Sequence, residues 1–112
     1  GFVGLSAPRF ELPAPHADPC IEVGWRLAWR WWGLGIASEA AAECLRFALV
    51  DAGLPEVLSW TVPPNLASQA VMQRLGMRYS GVFEHPLAAP GDWWSAHVLY
   101  RASVDDLPRP SA

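Results

Sequence analysis

The sequence has no excess of positive charge. Its 112 residues include 8 Lys and Arg against 11 Asp and Glu, which gives a formal net charge of -3. A surface that binds nucleic acid or anionic lipid needs a concentration of basic side chains. The composition therefore argues against nucleic acid and against a membrane surface as partners.

Long uncharged apolar runs are also absent. Charged residues, among them Arg26, Arg30, Glu39 and Glu43, interrupt the longest apolar stretches. A membrane helix needs about 20 consecutive, predominantly apolar residues. We therefore expect a soluble protein.

Cysteine and histidine are scarce. Cys20 and Cys44 are the only cysteines, and no basic segment followed by an apolar stretch opens the sequence. Free thiols in a reducing compartment fit this pattern better than a disulfide framework, so we expect a cytoplasmic protein. His16, His85 and His97 are too scattered to give a metal-ligand spacing, and we expect no metal.

The residues that are abundant predict a packed α/β domain. Hydrophobic residues make up 52% of the sequence, and 112 residues are enough for one core. Residues 20–28 alternate as in a strand, residues 36–52 repeat every three or four as in an amphipathic helix, and residues 56–62 have strand composition. A strand–helix–strand unit of this length predicts two parallel strands joined by a crossover.

The remaining segments extend the same sheet. Residues 2–5 form a short apolar strand, and residues 65–75 form a second helix. Residues 77–85 and 93–102 both alternate and are expected to pair as an antiparallel hairpin. Residues 103–112 have little to bury, and we expect them to be a mobile tail.

Two glycines stand between the first long strand and the first helix. Gly33 and Gly35 lie in the segment RWWGLGIASEA, where bare backbone at a helix N-terminus can bind a phosphate through unpaired amides. A mononucleotide P-loop would need lysine and then serine or threonine, but Ile36 and Ala37 follow the second glycine. A dinucleotide fingerprint would need glycine at Ser38, so that alternative is weakly matched.

Three segments resemble the GNAT superfamily of acyl-CoA-dependent N-acetyltransferases, in particular its ribosomal-protein N-terminal alanine acetyltransferase-like subgroup. They are EVGWRLAWRWWGLGIASEA, NLASQAVMQRLGM and HVLYR. The superfamily's pyrophosphate motif, Q/R-x-x-G-x-G/A, maps onto Trp32, Gly35 and Ala37, with Trp32 departing from glutamine or arginine. The resemblance implies an α/β fold: a mixed, mostly antiparallel GNAT-type sheet with a central strand–helix–strand crossover. It also implies that the domain, residues 1–102, is N-terminally incomplete, because GNAT domains usually begin with a strand, two helices and another strand before this point.

The resemblance assigns residues to acetyl-CoA as co-substrate. Backbone groups of Trp25, Arg26 and Leu27 would contact pantetheine between two splayed strands. Asn65 would hydrogen-bond the pantetheine arm, although it is equally suited to cap its helix. Backbone amides of six consecutive residues would surround the pyrophosphate: Gly33, Leu34, Gly35, Ile36, Ala37 and Ser38. The structural alternative for the two glycines is a tight turn with positive φ.

The resemblance also points to residues near the thioester. Ser68 corresponds to a position that can steady the departing thiolate, or its hydroxyl bonds to the first helical turn instead. Many relatives place an acidic tyrosine where this sequence has Met72, and a thioether cannot donate a proton. A backbone amide near Leu27 would stabilise the oxyanion.

A general base is required because only a neutral amine attacks the thioester, and amines with a pKa of about 8 to 10 must first lose a proton. Glu22 is the first candidate because it lies on the strand that leads to the cleft. Glu84 and His85, in the hairpin, and then His97 follow. For each of them a solvated surface position is the alternative.

These features predict an N-acetyltransferase that transfers acetyl from acetyl-CoA to a primary amine, either a protein N-terminus or a small molecule. The alternative is a non-catalytic CoA-binding or assembly module, favoured by the missing acceptor-side helices and by Met72. Because residues 2–5 would be an exposed edge strand, we expect a homodimer or a complementing chain to cover them.

Overall fold

The part of the chain that the structure describes forms one five-stranded sheet with two α-helices packed on one of its faces. The computed structural model describes residues 2–12, 15–16, 20–26, 35–89 and 91–107. The strands are β1 (Phe2–Ser6), β2 (Glu22–Arg26), β3 (Val57–Thr61), β4 (Arg78–Glu84) and β5 (Ala96–Ala102). The helices are α1 (Ile36–Arg46) and α2 (Leu66–Arg74).

The strand order in the sheet is β1-β2-β3-β5-β4. β2 and β3 are parallel and are joined through α1, whereas the β1–β2, β3–β5 and β4–β5 pairs are antiparallel. The predicted α/β fold, with a mixed and mostly antiparallel sheet around one crossover, is therefore confirmed. β1 lies at one edge of this sheet.

The main core lies between the helices and the sheet. Small and branched side chains bring α1 close to β2, because Ala41, Leu45 and Ala48 are almost completely buried against Val23 and Val57. Burial of such side chains contributes about 1.5 to 3 kcal/mol for each large one. The small alanine side chains are thus what lets α1 lie close to the sheet.

The first predicted helix changes its winding before it ends. The sequence predicts one helix over residues 36–52, but after α1 the segment Phe47–Asp51 is π-helical. The amide of Ala52 bonds to the Phe47 carbonyl at 2.8 Å, five residues back. The wider turn keeps Ala48 and Leu49 in the core. Within the described residues, neither α-helix is long and apolar enough to cross a membrane.

Residues 103–107, assigned from the sequence to a mobile tail, are attached to the domain. Val104–Asp106 form a 3-10 turn in which Asp106 accepts hydrogen bonds from the Ser103 amide (2.8 Å) and hydroxyl (3.3 Å). Arg78 of β4 forms an ion pair with Asp106 at 3.0 Å. A short polar segment is held because its carboxylate has three partners; the rest of the predicted tail, 108–112, lies outside the described residues.

Candidate functional site

The two parallel strands separate after a single pair of residues. Among the residues that the structure describes, β2 and β3 are in register only at Glu22 and Leu58, where the Leu58 amide bonds to the Ile21 carbonyl at 2.9 Å. Peptide groups of alternate residues face the same neighbour, so those of Trp25 on β2 and Trp60 on β3 also point into the gap. We call this gap, beyond the Glu22–Leu58 pair, the fork.

A cleft of about 540 Å³ runs along the fork and reaches the N-termini of both helices. Nine predicted site residues line it: Glu22, Trp25, Arg26, Gly35, Ile36, Ala37, Ser38, Asn65 and Ser68. The other three predicted site residues, Leu27, Gly33 and Leu34, lie outside the described residues, as does Trp32. Segments that are more than 40 residues apart in sequence therefore meet at one place.

The N-terminus of α1 opens into this cleft without a side-chain cap. Gly35 adopts φ 74° and ψ 4°, a left-handed conformation that glycine tolerates best. A Cβ built on Gly35 would meet no atom within 4 Å, so the space beside it is open. The first-turn amides of a helix have no intrahelical partners and carry partial positive charge, which favours an anion at this point.

The hydroxyl of Ser38 is buried and has no hydrogen-bond partner. It is the only buried side-chain nitrogen or oxygen in this condition among the described residues. Leaving such a group unpaired costs about 1 to 3 kcal/mol, so buried hydroxyls normally have a partner. Because Ser38 lines the cleft one turn from Gly35, its hydroxyl and the open α1 N-terminus suit an anion such as a phosphate group.

Asn65 uses both ends of its amide. Its Oδ1 accepts from the Ser68 amide at 3.2 Å and so caps α2, while its Nδ2 donates to Thr61 Oγ1 at 3.1 Å. The capping alternative drawn from the sequence is thus present in the structure. The side chain nevertheless remains exposed at the cleft.

Glu22 is half-buried on the sheet face opposite the helices. Burial raises its pKa from 4.5 to about 7, because desolvation disfavours the charged carboxylate. The side chain leans over Gly24, where a built Cβ would lie 3.6 Å from Glu22 Oε2 and 3.9 Å from the Phe2 ring. A carboxyl group with a pKa near neutrality in a cleft is suited to take up a proton.

The other three base candidates do not line the cleft. His85 and His97 contact each other with ring centroids 5.1 Å apart and belong to an aromatic cluster with Phe10, Trp60 and Phe83. Burial, and secondarily the neighbouring His97, lowers the pKa of His85. Glu84 is exposed at the end of β4. The structure therefore separates these residues from Glu22, which is the one that the cleft contains.

Sequence reasoning missed several residues of β3 and β1. Ser59, Trp60 and Thr61 line the cleft from β3, and Phe2 lines it from β1. The resemblance to the GNAT superfamily predicted that residues 56–62 form one of the two splayed strands, but it named no site residue in that strand and could not show where the parallel pairing stops. In the described part of the chain, no group of three or more His, Cys, Asp or Glu residues could hold a metal ion.

Comparison with known proteins agrees with this geometry. The model of the acetyltransferase (GNAT) domain family matches residues 1–78. The FsC-acetyl coenzyme A-N(2)-transacetylase of Aspergillus fumigatus is 35% identical over 93 residues, covering 80% of this chain and 40% of the relative. The chain spans less than half the length of the curated relatives it matches.

Solved structures share the fold. Mycobacterium smegmatis RimJ, in complex with CoA-disulfide, superposes with a TM-score of 0.71 at 27% identity, covering 85% of this chain and 46% of that one. A GNAT-family acetyltransferase from Bacillus anthracis gives a TM-score of 0.69 at 26% identity, covering 81% and 54%. The fold of the described residues is thus that of solved acetyltransferases.

Proposed function

The chain belongs to the acetyltransferase (GNAT) domain family, and from that membership we propose that it transfers an acetyl group from acetyl-CoA to a primary amine. The observation that carries the proposal is the cleft itself. It joins an open parallel fork to an uncapped helix N-terminus that has an unpartnered buried hydroxyl beside it.

The two ends of the cleft suit the two parts of acetyl-CoA. The diphosphate would lie against the amides of Ile36, Ala37 and Ser38, with the Ser38 hydroxyl as an added donor. The pantetheine arm would lie in the fork, where the peptide groups of Trp25 and Trp60 can bond to its amides as a neighbouring strand would. Leu27, Gly33 and Leu34 stay predicted contacts.

Glu22, on the sheet face opposite the helices, would act as general base. It takes a proton from the acceptor ammonium, so that the free nitrogen lone pair can attack the thioester carbonyl. The new C–N bond forms, the C–S bond breaks, and the thiolate leaves with its charge stabilised by the Ser68 hydroxyl. The amine's second proton passes to solvent, and the departing thiolate takes a proton from water.

The finer assignments are proposals as well. The likeness to RimJ supports the subgroup of ribosomal-protein N-terminal alanine acetyltransferase-like enzymes, and with it a protein N-terminus as acceptor; a small-molecule amine is the other acceptor class. A cytoplasmic location, and a homodimer or a complementing chain at the β1 edge, belong to the same proposal.

Binding and turnover test the proposed function directly. We expect acetyl-CoA, but not NAD or ATP alone, to raise the thermal unfolding temperature, because only a ligand of the native state stabilises it. We also expect thiol release when an amine panel is added.

Met72 is buried in the cleft wall where many relatives are expected to have tyrosine, so acetyl-CoA binding without thiol release would favour the non-catalytic module. Stabilisation by NAD or ATP alone would contradict the proposal.

Gly35→Ala should weaken acetyl-CoA binding about tenfold, because its Cβ enters the space that the phosphate would occupy. Gly53→Ala is the matched control: Gly53 has φ 69° and, like Gly35, no atom within 4 Å of a built Cβ. Both variants should lose about 1 kcal/mol of stability from left-handed strain. Calorimetric titration should find weaker binding in Gly35→Ala alone; equal weakening in both would contradict phosphate binding at α1.

A further inference from the structure

Ser59 is a buried serine at the point where β2 and β3 separate. Its side chain is 2% exposed, and its Oγ donates to the Val23 carbonyl on β2 at 2.9 Å. A serine in a central strand contributes little apolar burial. The position is therefore one where the hydroxyl, and not the packing, sets the local structure.

The bond that Ser59 makes takes the place of a rung of the sheet. In a regular parallel ladder, the pair after Glu22 and Leu58 would be Gly24 and Trp60, and the Trp60 amide would donate to the Val23 carbonyl. The register of β2 with β3 contains no Gly24–Trp60 pair. A side-chain hydroxyl accordingly satisfies a carbonyl that the next strand would otherwise satisfy.

The replacement of a backbone hydrogen bond by this side-chain hydrogen bond has two consequences for the fork. The Val23 carbonyl, in a fully buried residue, has a partner without further strand pairing. The Trp60 amide stays directed into the cleft. One hydroxyl thereby keeps the strands apart beyond this point, so that the peptide groups of Trp25 and Trp60 are left for a ligand.

We propose that Ser59 is a positioning residue whose hydroxyl holds the fork open for the pantetheine arm of acetyl-CoA. The inference rests on the proposed function, since it names a residue that prepares the same cleft. Ser59 acts through Val23 and the strand spacing and need not touch the reacting atoms.

Amide hydrogen exchange of the unliganded wild-type protein gives a test without any variant. The Leu58 amide, bonded to Ile21, should be protected, whereas the Trp60 amide should exchange about 100-fold faster and become protected when acetyl-CoA is added. Equal protection of Leu58 and Trp60 in the unliganded protein would overturn the proposal.

Ser59→Ala removes the donor and leaves the Val23 carbonyl unpaired. A hydrogen bond from the Trp60 amide to that carbonyl would then stabilise the protein, so the two strands should pair over one more pair of residues. We expect the Trp60 amide to become more protected and the affinity for acetyl-CoA to fall about tenfold. Ser59→Thr keeps the hydroxyl and should restore both properties. Ser95→Ala, at a buried serine outside the cleft, is the matched control and should change neither.

The outcomes distinguish failure of the positioning role of Ser59 from failure of the proposed function. Weaker binding by Ser59→Ala without added Trp60 protection indicates a merely structural role and overturns the proposal, as does unchanged binding. If the wild-type protein binds no acetyl-CoA, the proposed function fails and the positioning role falls with it. In that event the exchange rates still report whether the hydroxyl holds the strands apart.

Discussion

Replacing Glu22 with glutamine is expected to lower kcat/KM for acetyl transfer by about 100-fold or more, which is the usual contribution of a positioned general base. Glutamine has nearly the same shape but cannot accept the proton of the acceptor amine. Glu84→Gln is the matched control, because Glu84 is exposed outside the cleft. Its activity should stay at the wild-type level.

The pH profile distinguishes a base from a residue that only shapes the cleft. In the proposed role as general base, the form of Glu22 that accepts the proton is the carboxylate, and burial raises its pKa to about 7. Wild-type activity should therefore rise as pH increases through 7, and the low activity of Glu22→Gln should lack this step. An unchanged profile in the variant would assign the proton transfer to another group.

The same substitution should make the protein more stable above neutral pH. The folded-state pKa of Glu22 is raised above its ordinary value of 4.5. Its contribution to stability is therefore fully present below pH 4.5 and is lost as pH rises through 7. Glutamine has no charge to desolvate, so Glu22→Gln should gain up to about 3 kcal/mol at pH 8 and nothing at pH 4. Urea unfolding at both pH values measures the difference.

Replacing Gly76 with alanine is expected to cost about 3 kcal/mol of unfolding free energy, the largest stability effect we predict. Gly76 has φ 82°, and a built Cβ would lie only 2.7 Å from the Asp106 carbonyl oxygen. Alanine would therefore be strained, and it would push away the turn that Asp106 holds to Arg78.

Gly53→Ala separates the two causes of that loss. Gly53 has a similar φ of 69° but open space around its built Cβ, so its variant should lose only about 1 kcal/mol. Urea denaturation of both variants gives the comparison. Equal losses would mean that residues 103–107 do not pack against Gly76 in solution.

The strands and helices could be predicted from the sequence because each depends on the spacing of apolar residues within a short segment. Alternation in residues 20–28 and 56–62, and the three-to-four spacing that begins at Ile36, correspond to β2, β3 and α1. The end of α1 was less accurately predicted. The segment Phe47–Asp51 is π-helical, with Ala48 and Leu49 buried in the core. The periodicity of apolar residues alone does not distinguish such a segment from a continued α-helix.

The cleft was predicted in part. Glycine and asparagine next to helix starts have local signatures, so Gly35 and Asn65 could be named from the sequence, and the resemblance added Ser38. The choice among four base candidates could not be made there, because Glu22 differs from Glu84 only in what surrounds it. Desolvation on one face of a folded sheet raises the pKa of Glu22, and no property of its neighbours in sequence reports that burial.

By itself, the amino-acid sequence determined the order of strands and helices along the chain and the glycine backbone at the start of α1. It also determined which types of side chain are available to line the cleft. These depend on contacts within a few residues. Only the tertiary structure decided that pairing of β2 with β3 stops after Glu22 and Leu58, that the Ser59 hydroxyl takes the Val23 carbonyl, and that Asp106 lies over Gly76. Each of these depends on the distance between atoms from segments about 30 or more residues apart, which packing fixes and local sequence does not.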